Sequence, residues 1–282
     1  MALIRHLCPP VLFWLILLAL GVKLDHLAAA GLDSVPPARA GALLSAYAHN
    51  DYAHPHPLFD ALAQGFNRVE ADVWLVDGQL LVAHNLKAVQ PDRTLAALYL
   101  DPLRALIQAH GGQVFTNART FTLMIDVKSA AEPTWFALRQ LLQNYTNLLT
   151  SWSENRTHLN SLAIIISGNR AAKLLAAEPL RYAALDGRLA DLPANPSPQL
   201  VPLISDNWTL HFKWRGHGDF PIDEKKRLRE LVQQVHQQGR ILRFWAIPDH
   251  PNAWRELQSA GVDILGTDDL VGLAKFLETN HP

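Results

Sequence analysis

The chain has 282 residues, 49% of them hydrophobic, with 25 Lys and Arg against 26 Asp and Glu. A net charge near zero, with no basic run interleaved with aromatics, argues against nucleic acid as a partner. The one cysteine, Cys8, excludes a disulfide framework and a cysteine-based zinc site.

Arg5 and His6 precede an unbroken apolar run, Val11 to Val22, and Ala28-Ala29-Ala30 follows. This order predicts a signal peptide over residues 1–30. The alternative is an uncleaved membrane anchor, although the run is short for a span of about 20 residues. The expectation is an exported chain, periplasmic or secreted, or one attached to a membrane through this segment. What remains has about the 250 residues of one (β/α)8 barrel. Two smaller domains are the other use of that length, but no Gly/Ser linker separates them.

After a Pro-containing entry, Val35 to Ala40, the small apolar run Ala42 to Ala48 reads as a first strand ending at His49-Asn50-Asp51. Pro57 suits the first turn of a helix, with Leu58, Phe59, Leu62 and Phe66 as its apolar face and Gly65 as its end. The stretch Val69 to Asn85 reads V-E-A-D-V-W-L-V-D-G-Q-L-L-V-A-H-N. Its alternation predicts a strand, Asp77-Gly78 a tight hairpin, and Gln79 to Ala83 a returning strand. Asp101-Pro102 reads as a helix cap and first-turn proline, and Gly111-Gly112 as the stop. Phe121 to Val127 is a strand, Pro133 to about Leu149 a helix, and Leu162 to Ser167 a buried parallel strand. Asn169 reads as the cap of the following helix. Ala183 to Leu185 is a weak strand, Leu192 to Pro202 a loop, and Leu200 to Ile204 a better strand. Helix Asp223 to Gln238, strand Ile241 to Ile247 and helix Pro251 to Ala260 follow. Val262 to Gly266 is the last strand, and a final helix reaches about Glu278. Strand and helix alternate about eight times. The pattern predicts an α/β fold, a TIM-type (β/α)8 barrel in a single domain over 41–280.

In such a barrel the carboxyl ends of the strands form one mouth. The polar residues gather at those ends: His49, Glu70 and Asp72, Asp126 and Lys128, Asp206, Arg243 and Trp245, Asp268. Glu70 and Asp72 lie two apart on a strand and so share a face. With Asp126 they offer an all-oxygen set suited to one divalent cation, Mg2+ or Ca2+. Lys128 shares the strand face of Asp126 and suits a phosphate oxygen. His49 and His84 flank the acids in sequence. They suit a general acid/base pair across a phosphorus centre, or else ligation of a metal such as zinc, for which His54 and His56 are further candidates. Trp74, Trp208, Trp214 and Trp245 are candidates to line the mouth. Ser167, Ser205 and Asp186 invite a serine-triad reading, but no G-x-S-x-G elbow is present, nor a phosphate-binding P-loop or dinucleotide fingerprint.

The run V-E-A-D-V-x4-D-G-x-L-x-V-A-H-N resembles the core motif of the glycerophosphodiester phosphodiesterases, within the phospholipase-C-like phosphodiesterase superfamily. Asp126-Val127-Lys128 resembles that superfamily's third-ligand strand, and G-V-D-I-L-G-T-D-D its last strand. The opening A-H-N-D-Y and the later R-F-W-A-x-P-D resemble more closely the altered-inheritance-of-mitochondria protein 6 type branch. The resemblance implies a metal-dependent phosphoric diester hydrolase acting on a glycerophosphodiester, phospholipid or related small-molecule or lipid-derived diester. By it, Glu70, Asp72 and Asp126 hold the metal, His49 and His84 are catalytic, and Lys128 contacts phosphate. Asn50, Arg243 and Trp245 complete the expected substrate-binding set. The chain departs from the family where His-Arg-Gly is usual, because His49-Asn50-Asp51 lacks the arginine; Arg243 is the candidate substitute. Two other readings stay open: an amidohydrolase-like metal hydrolase, and a catalytically weak barrel that binds phosphorylated headgroups.

Overall fold

The computed structural model of the protein describes residues 39, 41–154 and 156–279. The leader, Cys8 and, apart from Arg39, the entry up to Ala40 lie outside the described residues. No helix among the described residues is long and apolar enough to cross a membrane.

The strands are β1 (Ala46–Ala48), β2 (Arg68–Val76), β3 (Gln79–Val82), β4 (Phe121–Val127), the short β5 (Ser151–Trp152) and β6 (Thr157–His158), β7 (Leu162–Gly168), β8 (Ala184–Gly187), β9 (Leu203–Asn207), β10 (Ile241–Trp245) and β11 (Ile264–Thr267). The helices are α1 (Phe59–Ala63), α2 (Asp101–Ala109), α3 (Ala131–Leu142), α4 (Ala172–Ala177), α5 (Trp208–His211), α6 (Ile222–Gln237), α7 (Pro251–Ala260) and α8 (Leu270–Thr279). Strands pair in the order β1-β11-β10-β9-β8-β7-β4-β2, and β1 pairs again with β2, so the eight-stranded sheet closes. Its pairings are parallel; β3 hangs antiparallel on β2 outside the ring. Within the strands, β1 and β2 share one register pair, Ala48 beside Val69, and Leu43 bridges Phe66 just ahead of them.

The expected barrel is therefore present, and β2–β3 turns at Asp77 (φ 48°) and Gly78 (φ 77°) as the Asp-Gly pair predicts. Other boundaries differ for local reasons. Helix α1 begins after Pro57, because Leu58 (φ 69°) turns the chain and Asp60 accepts the His56 N–H at 2.9 Å. Asp101 is not a cap. The helix enters earlier through a π-helical turn, Ala96–Leu100, held by fully buried Leu95, Tyr99 and Leu100. Asp101 instead accepts from Tyr145 at 2.8 Å and pairs with Arg104. Helix α3 ends at Leu142, short of Leu149, where Asn-Tyr-Thr-Asn replaces strong helix formers. Asn169 does not cap α4; its amide donates to the carbonyls of Lys128 and Ser129.

Apolar side chains form two cores. The larger lies between sheet and helices and includes Leu123, Ile125, Trp208 and Trp254. The smaller fills part of the barrel interior with Tyr47, Met124, Ile165, Leu203 and Ile264. Alternation along each strand divides the two sets. Glu70 and Asp72 take interior positions on β2, beside Met124 and Asp126 of β4.

Candidate active site

Parallel register sets the site. Asp72 lies beside Asp126, and Asp126 beside Ser167 of β7. One carboxylate oxygen from each of Glu70, Asp72 and Asp126 lies within 4.8 Å of the others. Glu70 and Asp72 are buried, and Glu70 Oε2 and Asp126 Oδ1 have no hydrogen-bond partner. Buried carboxylate oxygens without partners are costly unless a cation compensates them. The trio is the one metal-sized group of His, Cys, Asp and Glu among the described residues, and it contains no histidine. Hard oxygen donors of this kind fit Mg2+ or Ca2+ and do not resemble a histidine-bound zinc site.

Lys128 bridges two of the acids, with Nζ 3.2 Å from Asp72 Oδ2 and 3.1 Å from Asp126 Oδ2. One lysine does not offset the cluster. Burial raises the Asp126 carboxyl to about 6 against the pull of Lys128, with Glu70 and Asp72 adding to the rise. Burial likewise raises Asp72, against the Tyr52 hydrogen bond and Lys128. On Lys128 itself burial acts downward, but Asp126 and Asp72 outweigh it and hold the ammonium above its ordinary value. Gly168 (φ 66°) is required beside Asp126, since an added Cβ would stand 2.0 Å from Asp126 Oδ1.

The two histidines flank the trio. His49 follows β1, and its Nδ1 lies 2.8 Å from Asp268 Oδ1, past the end of β11. Its Nε2 lies 3.9 Å from Glu70 Oε2. Burial acts to lower His49, but Asp268 and Glu70 together raise it above the ordinary value. His84 follows β3, with Nδ1 3.2 Å from Asp72 Oδ2 and its side chain 70% exposed. The Tyr52 hydroxyl joins these groups: it lies 2.7 Å from Asp72 Oδ2, 2.7 Å from Asn50 Oδ1 and 3.0 Å from His84 Nδ1. The tautomer with Nδ1 protonated matches the Asp268 and Asp72 carboxylates and leaves each Nε2 for chemistry, although the Asn50 amide nitrogen also lies 2.9 Å from His49 Nδ1.

The remaining expected residues take other places. The Asn50 amide donates to Asp268 Oδ1 at 3.2 Å, so Asn50 holds the loop that carries His49. Arg243 lies under the trio, only 3% exposed, with Nη2 3.6 Å from Glu70 Oε2 and its guanidinium 3.8 Å from the Tyr47 ring centroid. Trp245 lines a cleft of about 80 Å³ with His49, Asp249 and Asp268. Trp208 and Trp214 do not line the mouth. Trp208 is fully buried and stacks on Phe212, and Trp214 stacks on Phe220, because both belong to the core between barrel and helices. Trp74 donates to the Ala83 carbonyl at 3.0 Å and steadies the hairpin. His56 pairs with Asp60 at 3.1 Å, at the start of α1. Asp186, Ser167 and Ser205 do cluster, but with an arginine: Ser167 and Ser205 donate to the Asp186 carboxylate at 2.8 and 2.6 Å, and Arg188 at 2.7 Å. No histidine bonds this group among the described residues, so it is an ion-pair network of the barrel wall. The sequence places Asp268 at the mouth but carries no sign of its pairing with His49, and only the A-H-N-D-Y run hints at Tyr52.

A closed parallel barrel with acids, imidazoles and a lysine at its carboxyl-terminal mouth defines a barrel of the phosphodiesterase type. Residues 41–185 match the AIM6-like phosphodiesterase domain, and the chain belongs to that family. It is similar to altered inheritance of mitochondria protein 6 of Eremothecium gossypii, 29% identical over 270 residues, covering 83% of this chain and 69% of that one. The homolog from Arthroderma benhamiae is 26% identical over 256 residues, covering 79% and 81%. Among solved structures, a glycerophosphodiester phosphodiesterase from Parabacteroides distasonis aligns with TM-score 0.50 at 16% identity, covering 83% of this chain and 97% of that one. An Oleispira antarctica phosphodiesterase, solved with its product sn-glycerol-3-phosphate, aligns with TM-score 0.50 at 14% identity, covering 84% and 97%. At such identities the structural likeness speaks for the fold alone.

Proposed function

We propose that the protein is a metal-dependent phosphoric diester hydrolase acting on a small or lipid-derived diester such as a glycerophosphodiester. The observation that carries this reading is the carboxylate trio within 4.8 Å, with two buried oxygens that accept no hydrogen bond, between two carboxylate-bound histidines. Glu70, Asp72 and Asp126 would hold one Mg2+ or Ca2+, which supplies charge neutralisation and polarisation of the phosphate. Lys128 neutralises a further phosphate oxygen as a point charge. His49, favoured as imidazolium by Asp268 and Glu70, gives its Nε2 proton to the leaving alkoxide. His84 takes the proton of the attacking hydroxyl at Nε2, while Tyr52 and Asp72 fix its tautomer through Nδ1. Asn50 and Asp268 hold His49 in place. The product bound by the Oleispira antarctica protein supports a glycerophosphodiester as the first substrate to try. The chain is read as exported or membrane-attached on the strength of Val11 to Val22.

The test is hydrolysis of glycerophosphocholine and of a chromogenic diester by the full chain with Mg2+, Ca2+ or EDTA. Turnover is expected with a metal, lost in EDTA, and reduced about 100-fold or more in His49→Ala and His84→Ala. Turnover that survives EDTA, or full activity in both variants, would refute the mechanism. Tight diester binding without turnover would instead favour a headgroup-binding barrel, the reading that the missing arginine beside His49 motivates.

A further inference from the structure

The barrel is open at the end away from the carboxylates. A cavity of about 410 Å³ lies among the first residues of the strands. Its origin is visible in the sequence. Interior positions of a TIM-type barrel are usually filled by bulky branched side chains. Here β4 and β7 place Thr122 and Ala163 at that level, side by side in register. The space they leave is walled by Met124, Ile165, Ile264 and Trp152. Tyr47 forms its inner end; its hydroxyl donates to Met124 Sδ at 3.0 Å, and its ring carries Arg243 on the other side.

Among the residues lining the cavity, Arg68 supplies the only charge. Arg68 opens β2 two residues before Glu70, so it shares the interior face but at the other end of the barrel. It is half-buried and donates to the Leu44 carbonyl. No carboxylate among the described residues lies within 4 Å of it. Burial lowers its pKa to about 10 against the pull of Asp263, which acts on it from beyond 4 Å, so it remains a cation near neutral pH. Leu159, which also lines the cavity, is 47% exposed, an apolar side chain standing at the entrance. A largely apolar chamber, with Thr120, Thr122, Thr157 and Gln199 as uncharged polar lining and Arg68 as its one cation, is complementary to an amphiphile with one negative charge and an apolar chain. A phosphate monoester would leave a second charge without a partner. The volume falls at the lower end of small-molecule pockets, about 300–1,000 Å³, which favours a medium chain over a long one.

We propose that this cavity is a second binding site, for a medium-chain carboxylate that lies with its chain inside the barrel and its headgroup on Arg68. The site is separate from the carboxylate mouth and does not depend on the reaction proposed there.

The experiment is calorimetric titration of the full chain with hexanoate, octanoate, decanoate and dodecanoate, each below its micelle concentration, and with decanol as the uncharged comparison. One saturable site is expected, tightening about fourfold per added methylene until the cavity is full. Decanol is expected to bind at least about tenfold more weakly than decanoate, since a hydrogen bond between ions is lost. Arg68→Gln should bring decanoate to the level of decanol. Ala163→Phe should abolish both, and Thr122→Leu should shorten the longest chain accepted; melting curves identify which variants are folded. Glu70→Gln, at the other end of the barrel, should bind decanoate as the wild type does. Absence of saturable decanoate binding to the wild type would overturn the proposal. So would undiminished binding to whichever filled variant folds, or an acid-to-alcohol preference unchanged by Arg68→Gln.

Discussion

Asp51 offers the most direct test of how burial governs this fold. It sits fully buried in the turn after β1, between Asn50 and Tyr52. Its Oδ2 accepts from the Leu58 N–H at 2.6 Å and the Tyr99 hydroxyl at 2.8 Å, while Oδ1 has no partner. Burial raises its pKa from 3.8 to about 7, against those two hydrogen bonds. The folded state therefore holds the proton more tightly than the unfolded chain. The stability it contributes is complete below the unfolded pKa and is lost as pH rises through the folded one. The rise from 3.8 to about 7 corresponds to about 4 kcal/mol lost between about pH 4 and pH 8, at about 1.4 kcal/mol per tenfold change in proton affinity. Asp51→Asn keeps the acceptor and removes the titration. Urea denaturation of both proteins in EDTA across that range isolates the effect, because the other carboxylates are common to both. The two stabilities should be similar near pH 4, and the variant should pull ahead by roughly 4 kcal/mol at pH 8. A difference that stays flat to within about 1 kcal/mol would refute the reasoning, since Asp51 would then be equally ionised folded and unfolded.

Three further outcomes follow from the mouth of the barrel. Tyr52→Phe removes the hydroxyl shared by Asp72, Asn50 and His84, and should cut kcat about tenfold or more with a melting temperature changed by only a few degrees. Gly168→Ala places a methyl 2.0 Å from Asp126 Oδ1 and 2.5 Å from the Val127 carbonyl, and should weaken the affinity for divalent cations about tenfold or more, read by calorimetry on folded protein. Asp268→Asn removes the hydrogen-bonding carboxylate that raises His49, so less imidazolium exists at a given pH. The alkaline limb of the pH–rate profile should then move to lower pH; an unmoved limb would show that His49 is not the acid.

Much of this was legible in the residues because it was local. Glu70 and Asp72 share a face by the two-residue repeat of a strand, and Asp77-Gly78 writes its own hairpin. Phe121–Val127 is apolar enough to name its strand end to end. What escaped depends on distant packing. Asp101-Pro102 has the chemistry of a helix start, yet the buried side chains of the preceding turn carry the helix through it. The face of Arg243 was readable, but not its depth, because which level of the barrel a residue occupies is set by the stagger of all eight strands. Trp208 and Trp214 were ambiguous for a similar reason: an aromatic following a strand can turn to the mouth or outward to the helices, and here Phe212, Phe220 and Phe244 draw both outward. The partnership of His49 with Asp268 joins residues 219 positions apart and has no local signature.

The way the ring closes has a bearing on how the protein fails. Ala48 beside Val69 is the only strand register between β1 and β2, and the next residue along each strand is His49 and Glu70. Two principal groups of the site thus lie across the joint with the fewest strand register pairs, tied otherwise by the Leu43–Phe66 bridge, while β4 and β7 share seven consecutive register pairs. Local opening begins where stabilising contacts are fewest. We expect this joint to yield first on warming, parting His49 from Glu70 while the rest of the barrel still stands. Inactivation would then precede unfolding, with a window of temperature in which the molecule is folded by every spectroscopic measure and already silent.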